Sequence, residues 1–387
     1  MRLKEEREAR PAPTRAGQRA RTRDDADEVR ERGAAGSARP GVPVAAGCAA
    51  MTPAEGLARG RDAFTAVRIA AALGVLVSHA WPLALGREAV APLKELTGQS
   101  LGHVCVVIFI SISGFFVTRS FDRNRSWQRF VRGRGLRLFP GLAVMLLATL
   151  SVGLAFTPEP ALFLADAPGY FIRNLTLVEL DYDLPGLFEA TPYGPVVNGS
   201  LWSLFFEAVL YLVVLLAGLG GLFARPRARD VGLVLFAVAC VVLPLFVAQL
   251  RIVRLCELGL PFAIGAALYF WRDRVQLSWA VGAGLLVLAP LSGPILSLAL
   301  AYGAILVGFR APAVRLPDYS YGIYIYAFPL QQAATAMGAE TPLSNIALSL
   351  PPTILCAAVS WHLVERPALR LKKGRSVAPA VEVGGSP

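Results

Sequence analysis

Arg68 and His79 stand eleven residues apart in a stretch that is otherwise almost wholly apolar. Eleven residues make about three helical turns, so both side chains leave one face, with about 16 Å of rise between them. An imidazole titrates near neutral pH and can take or return a proton. Glu207 lies in another apolar stretch, with Ser203 four residues before it on the same helical face. A carboxylate beside His79 would fix the imidazole tautomer and raise its basicity. Arg134 and Arg137 sit one turn apart at the head of a third apolar run, and paired guanidinium groups hold phosphate bidentately. Each feature also has a plainer explanation. A membrane histidine can serve a helix–helix hydrogen bond, and a His79–Glu207 pair can simply tether two helices. Ser111, Ser113 and Gly114 permit close helix approach. Tyr321 and Tyr324 share a face and could line a cavity, but Tyr321 also suits an interfacial anchor. Glu257 is expected to pair with Arg254, three residues before it, as a structural contact.

The elements that must carry these groups are membrane helices. The chain has 387 residues, 55% apolar and 17% charged, against about 25% charged in a soluble domain. That composition excludes an ordinary soluble fold and a wholly disordered chain. Five cysteines exclude a disulfide scaffold. A bilayer core about 30 Å thick takes about 20 helical residues. Ten segments qualify: 64–86, 103–120, 138–157, 201–223, 231–249, 255–271, 277–292, 295–309, 319–338 and 344–364. The fold expected is an all-α polytopic bundle with both termini cytoplasmic, multi-pass in an inner (plasma) membrane. With that orientation the inner loops and tail carry 19 Lys and Arg against 5 in the outer loops, the positive-inside asymmetry. The net charge of +11 therefore reports topology and contact with anionic lipid heads, not nucleic acid.

Residues 1–62 hold 13 basic and 10 acidic residues and no sustained apolar periodicity. They are expected to be a disordered tail, either cytoplasmic or the product of a start assigned upstream of Met51. Residues 63–372 form the membrane domain and 373–387 a second disordered tail. The longest outer loop, 158–200, carries six acids, Arg173 and three tyrosines. It is either a solvated connector or a surface for sugar. No phosphate-binding loop, dinucleotide fingerprint or metal-ligand spacing occurs, with only three histidines in the chain. The cysteines in apolar spans are expected to be free packing residues.

Taken in order, the marks match a known pattern. Arg68 with His79, Ser113-Gly114-Phe115-Phe116, Arg134-x-x-Arg137 before Pro140, Trp202-Ser203-Leu204-x-x-Glu207, Ser320-Tyr321-x-x-Tyr324 and Glu365-Arg366-Pro367 resemble the acyltransferase-3 family of bacterial integral-membrane acyltransferases. The resemblance spans about residues 64–372. Many members carry a histidine after the Ser-Tyr-x-x-Tyr stretch, where this chain has Tyr326-Ala327-Phe328-Pro329, so the load falls on His79. The resemblance implies transfer of an acyl group, most often acetyl, from cytoplasmic acyl-CoA to a hydroxyl of a carbohydrate or lipid-linked sugar. His79, Glu207 and Arg68 are then the catalytic candidates. Arg134, Arg137 and Ser113 are candidates for the donor, and Trp202, Ser203 and Tyr324 for the acceptor. The rival reading from another class is a transporter or flippase for a polar substrate, which would show no acyl transfer; no internal repeat of the kind transporters carry is evident.

Overall fold

A computed structural model describes residues 50–60 and 62–371. The described residues form helices and their connections, with no strand beyond two isolated bridges. In chain order the main helices are α1 (Pro53–Arg59), α2 (Phe64–Leu85), α3 (Leu101–Asn124), α4 (Trp127–Phe156), α5 (Pro160–Thr176), α6 (Trp202–Leu219), α7 (Pro226–Phe246), α8 (Leu250–Phe270), α9 (Trp279–Leu288), α10 (Gly293–Arg310), α11 (Ser320–Ala336) and α12 (Pro342–Ser360). Each of the ten apolar segments read from the sequence overlaps one of them. Eight helices are long and apolar enough to cross a membrane. The two that fall short of that length are α9, with its 3-10 extension to Leu291, and α11.

The solvent these helices expect is visible on their outer faces. Phe246 is 81% exposed and Leu245 75% exposed at the end of α7, which packs along α8 and leaves most of its residues unburied. Apolar surface on this scale is a liability in water and the natural boundary in lipid, where helices also satisfy their own backbone polar groups.

α3 is the central rod. It packs against α2, α4, α6, α8 and α10, most extensively against α8. The α3–α8 approach is backbone to backbone. A Cβ on Gly114 would overlap the Phe262 carbonyl, and one on Gly265 would overlap the Ser111 carbonyl. Neither obstacle is a side chain that can swing away. Gly265→Ala is therefore expected to cost at least the usual overpacking penalty, about 1–3 kcal/mol, read as a lower melting temperature in detergent. An unchanged melting temperature would contradict this crossing.

Two expectations about connections need correction. The inner loop expected over 119–137 is almost all helix. α3 runs to Asn124, Arg125 turns the chain with a positive φ of 44°, and the Ser126 side chain caps α4 by accepting from the Arg129 amide. The seven arginines counted as loop residues thus lie on helix ends and their turn. α4, at 30 residues, is about 45 Å long and carries its basic first turns beyond a 30 Å core.

The tail expected to be unstructured up to residue 62 is ordered over residues 50–60. Residues 1–49 and 372–387 lie outside the described residues, but Met51 is buried and exchanges both backbone hydrogen bonds with Leu277. Thr52 and Glu55 then form a reciprocal capping box that starts α1. Thr-x-x-Glu is a helix-start signature, so this part was readable.

The outer segment 158–200 is more ordered than a connector. It begins with α5, which buries Phe163, Ala167 and Tyr170. Arg173 at its end pairs with Asp181 and, at 3.7 Å, Asp166. The buried Asn174 side chain donates to the Asp181 carbonyl and accepts from its amide. The end of the segment is fastened to α11, where Gln332 donates to the Gly194 and Val196 carbonyls and Asn198 donates to the Ile325 carbonyl.

Candidate active site

A cavity of about 120 Å³ lies among α2, α3, α4, α6 and α11. Seven of the nine candidate residues line it: Arg68 from α2, Ser113 from α3, Arg134 and Arg137 from α4, Ser203 and Glu207 from α6, and Tyr324 from α11. Chain positions 68 to 324 converge because α3 holds α2 and α6 on its flanks while α11 packs on α2 and α4.

The cavity is electrostatically divided. At one end Asp318, in the loop before α11, accepts from Arg137 at 2.8 Å and pairs with Arg68 at 3.1 Å. Ser320 Oγ donates to its other oxygen at 2.5 Å. Burial pushes the Asp318 carboxyl up, but Arg137 and Arg68 outweigh that and hold it down at about 2. Asp318 was not singled out in the sequence. It is the only acid in the connection 311–319, yet its guanidinium partners lie 181 and 250 positions upstream, which no local pattern reveals.

In the middle, Glu207 Oε1 accepts from Ser113 Oγ at 2.9 Å and from Tyr211 OH at 2.5 Å. The Arg134 guanidinium carbon sits 5.5 Å from the centre of the Tyr211 ring, and its buried Nε has no hydrogen-bond partner. Tyr211 was overlooked, although it stands four residues after Glu207 on the same face and so had a legible signal.

At the other end, Tyr324 OH donates to the Ser200 carbonyl at 3.0 Å. That leaves Ser203 Oγ as the donor in the 2.7 Å Ser203–Tyr324 contact. A row of hydroxyls thus faces the row of guanidinium groups across one carboxylate.

His79 and Trp202 lie elsewhere. No hydrogen bond joins His79 to Glu207, so the direct tautomer-fixing pair expected from the sequence does not form. α3 accounts for this, since α2 packs chiefly on α3, α10, α11 and α12, and α6 chiefly on α3, α4 and α8. His79 instead packs edge-on against Phe328, with ring centres 5.3 Å apart. Phe328 is one turn beyond Tyr324 on the same face of α11, so His79 sits one turn past the hydroxyl end of the cavity. Its Nδ1 is buried without a partner, and the ring makes no hydrogen bond among the described residues. Trp202 lines a neighbouring cavity of about 390 Å³ with Tyr182, Phe205, Arg251 and Arg254. Arg254 covers its ring at 5.4 Å and pairs with Glu257 at 2.8 Å, the structural contact expected.

Residues 61–316 match the acyltransferase-3 family model, described as an acyltransferase domain. The chain belongs to the acyltransferase-3 family. It is similar to the O-acetyl transferase of Shigella phage Sf6, at 28% identity over 341 residues, which covers 79% of this chain and 95% of that protein. It is also similar to Nodulation protein 10 of Rhizobium leguminosarum bv. viciae, at 27% identity over 360 residues, covering 81% and 94%. No solved structure matches. For an acyltransferase-3 protein, the divided cavity has a chemical meaning. Guanidinium groups at one end and hydroxyl groups at the other, with the Glu207 carboxylate between them, give its two ends opposite chemical character.

Proposed function

We propose that this acyltransferase moves an acyl group, most simply acetyl, from cytoplasmic acyl-CoA to a hydroxyl of a carbohydrate-type acceptor, either a surface polysaccharide or a lipid-linked sugar. All ten helices of the membrane region cross the inner membrane, with both termini cytoplasmic. The short α11 is sheathed by its neighbours and α9 is paired with α10. The observation that carries the reading is one cavity with Arg68 and Arg137 at one end, Arg134 beside Glu207 in the middle, and Ser203 and Tyr324 at the other. The phage relative, named as an O-acetyl transferase, supports oxygen as the accepting atom.

Donor and acceptor then enter from opposite ends. Arg134 and Arg137 attract the donor's anionic part, and Ser113 lies along the path of its acyl end. The acceptor enters past Trp202 and Ser203, with Tyr324 against its hydroxyls. His79 removes the proton as the acceptor oxygen attacks the thioester carbonyl. The new C–O bond forms, the C–S bond breaks, and the departing thiolate takes the proton from the imidazolium. An imidazole with no standing hydrogen bond is free for this exchange. A buried polar group without a partner calls for such an explanation.

Glu207 places negative charge in the cavity and is held by two hydroxyl donors. Glu207→Gln keeps the shape and removes the charge. Hydrogen bonds to a charged group are worth about 1.5–3 kcal/mol against about 0.5–1.5 for a neutral one, so the melting temperature should fall somewhat, and turnover should fall more, about tenfold to a hundredfold. Undiminished turnover would remove Glu207 from the reaction. The reading as a whole is tested by release of free CoA thiol from acetyl-CoA by purified protein across a panel of sugar acceptors. Acceptor-dependent release is expected. No release with any acceptor, as a transporter would give, overturns it.

A further inference from the structure

The reaction cavity is too small for the whole donor. At about 120 Å³ it is well below the range of about 300–1,000 Å³ typical of small-molecule sites. It can take an acyl thioester but not a phosphorylated nucleoside. Its cations are also partly committed, since Asp318 engages Arg137 and Arg68.

A second concavity of about 1070 Å³ lies beside it. Its wall is built by the α1–α2 junction, the loop after α10 and the helical continuation of α12, a π-helical turn Trp361–Glu365 followed by Arg366–Arg370. Arg59, Arg315 and Arg366 stand on this wall, exposed. Among the described residues no hydrogen bond or ion pair engages them. Arg310 on the same wall is already tied to the Leu277 carbonyl and the Trp279 ring. The wall's one carboxylate, Asp62, accepts from the Phe64 amide. Trp361 and His362 add flat rings, and His362 Nε2 lies 3.0 Å from Tyr319 OH.

The two cavities adjoin. Thr65 lines the large one and Arg68, one turn on, lines the small one. Pro317 lines the large one, and the next residue, Asp318, holds Arg68 and Arg137. We infer that the large concavity binds the 3′-phosphoadenosine diphosphate end of the donor, so that the pantetheine arm runs past the Arg68–Asp318–Arg137 triad into the reaction cavity. Arg59, Arg315 and Arg366 take the phosphates, for which guanidinium forks are the fitting donors. Trp361 and His362 offer stacking surfaces to the purine. This inference rests on the acyl-CoA reading above, and it moves phosphate recognition from the α4 arginines to the inner-face bowl.

An anionic lipid head presents the same phosphate chemistry, and the test separates the two. Wild type, Arg315→Ala/Arg366→Ala and Arg225→Ala/Arg227→Ala are placed in nanodiscs of neutral phosphatidylcholine and titrated with CoA and with 3′-dephospho-CoA. The second double variant removes the same charge from exposed arginines at the head of α7. Expected is at least tenfold weaker CoA binding in the first double variant, no change in the second, and a wild-type preference for CoA over 3′-dephospho-CoA that the first variant loses. CoA binding equal to wild type in Arg315→Ala/Arg366→Ala overturns the inference while leaving the donor reading intact. So does an effect of that variant that appears only as weaker competition by phosphatidylglycerol in mixed nanodiscs, which would assign the bowl to lipid. A wild type that neither binds CoA nor turns over acetyl-CoA overturns both readings together. The exposed positions of Arg315 and Arg366 keep folding out of the comparison.

Discussion

His79→Ala should lose acyl transfer by a factor of about 10² to 10⁴, the usual worth of a positioned general base, while the protein stays folded. The second half of that expectation comes from the geometry. His79 makes no hydrogen bond among the described residues, and its one recorded ring contact is the edge of Phe328. Its removal therefore strands no buried partner, which is the usual route to a large loss of stability. A histidine serving as a helix tether would behave in the opposite way, with a lower melting temperature and turnover reduced only in proportion. Turnover at saturating acetyl-CoA and acceptor, measured beside thermal melting, separates the two. Full transfer by a folded His79→Ala protein would remove the imidazole from the chemistry.

Asp318→Asn should damage both fold and function, because it leaves two guanidinium groups facing each other without their shared anion. Breaking a buried ion pair by removing one partner costs about 3–5 kcal/mol. Asp318 side-chain exposure is only 13%, against 27% for Arg68 and 20% for Arg137, so the lower part of that range applies. The melting temperature should drop. The KM for acyl-CoA should rise at least tenfold as Arg68 and Arg137 lose their fixed positions at the junction of the two cavities. Asp318→Glu, which restores the charge on a longer arm, should recover part of both. Unchanged KM in Asp318→Asn would show that the triad does not position the donor.

The pH dependence of the triad follows from the same charges. The carboxyl is held at about 2, below its unfolded value of about 3.9. Its contribution to stability is complete above pH about 4 and is lost as pH falls through about 2. The triad is therefore intact across the neutral range, and no limb of a neutral activity profile belongs to Asp318.

What the sequence disclosed divides along the range of its signals. Apolar runs located the eight helices long and apolar enough to cross a membrane, and the shorter α9 and α11, because an apolar surface leaves a mark on every turn of a helix. α5 escaped because Asp166, Arg173 and two prolines mask the apolar face of Phe163, Ala167 and Tyr170. Residues sharing a helix face, such as Ser203 and Glu207, were readable from spacing alone. Partners on different helices were not. Spacing put His79 and Glu207 at similar depth, but it could not show that α3 stands between their helices and gives Glu207 the hydroxyl of Ser113. Asp318 had no motif or periodicity around it, and its importance lies entirely in which two arginines the fold brings to it.

The account depends most on the transfer itself. Purified protein should be incubated with acetyl-labelled acetyl-CoA and a hydroxyl-bearing sugar acceptor, and the acceptor recovered for analysis. The predicted result is label on the acceptor in proportion to thiol released, removable by mild base or hydroxylamine as an ester must be. Thiol release with no label on any acceptor, or label that resists mild base and hydroxylamine as an amide would, contradicts it.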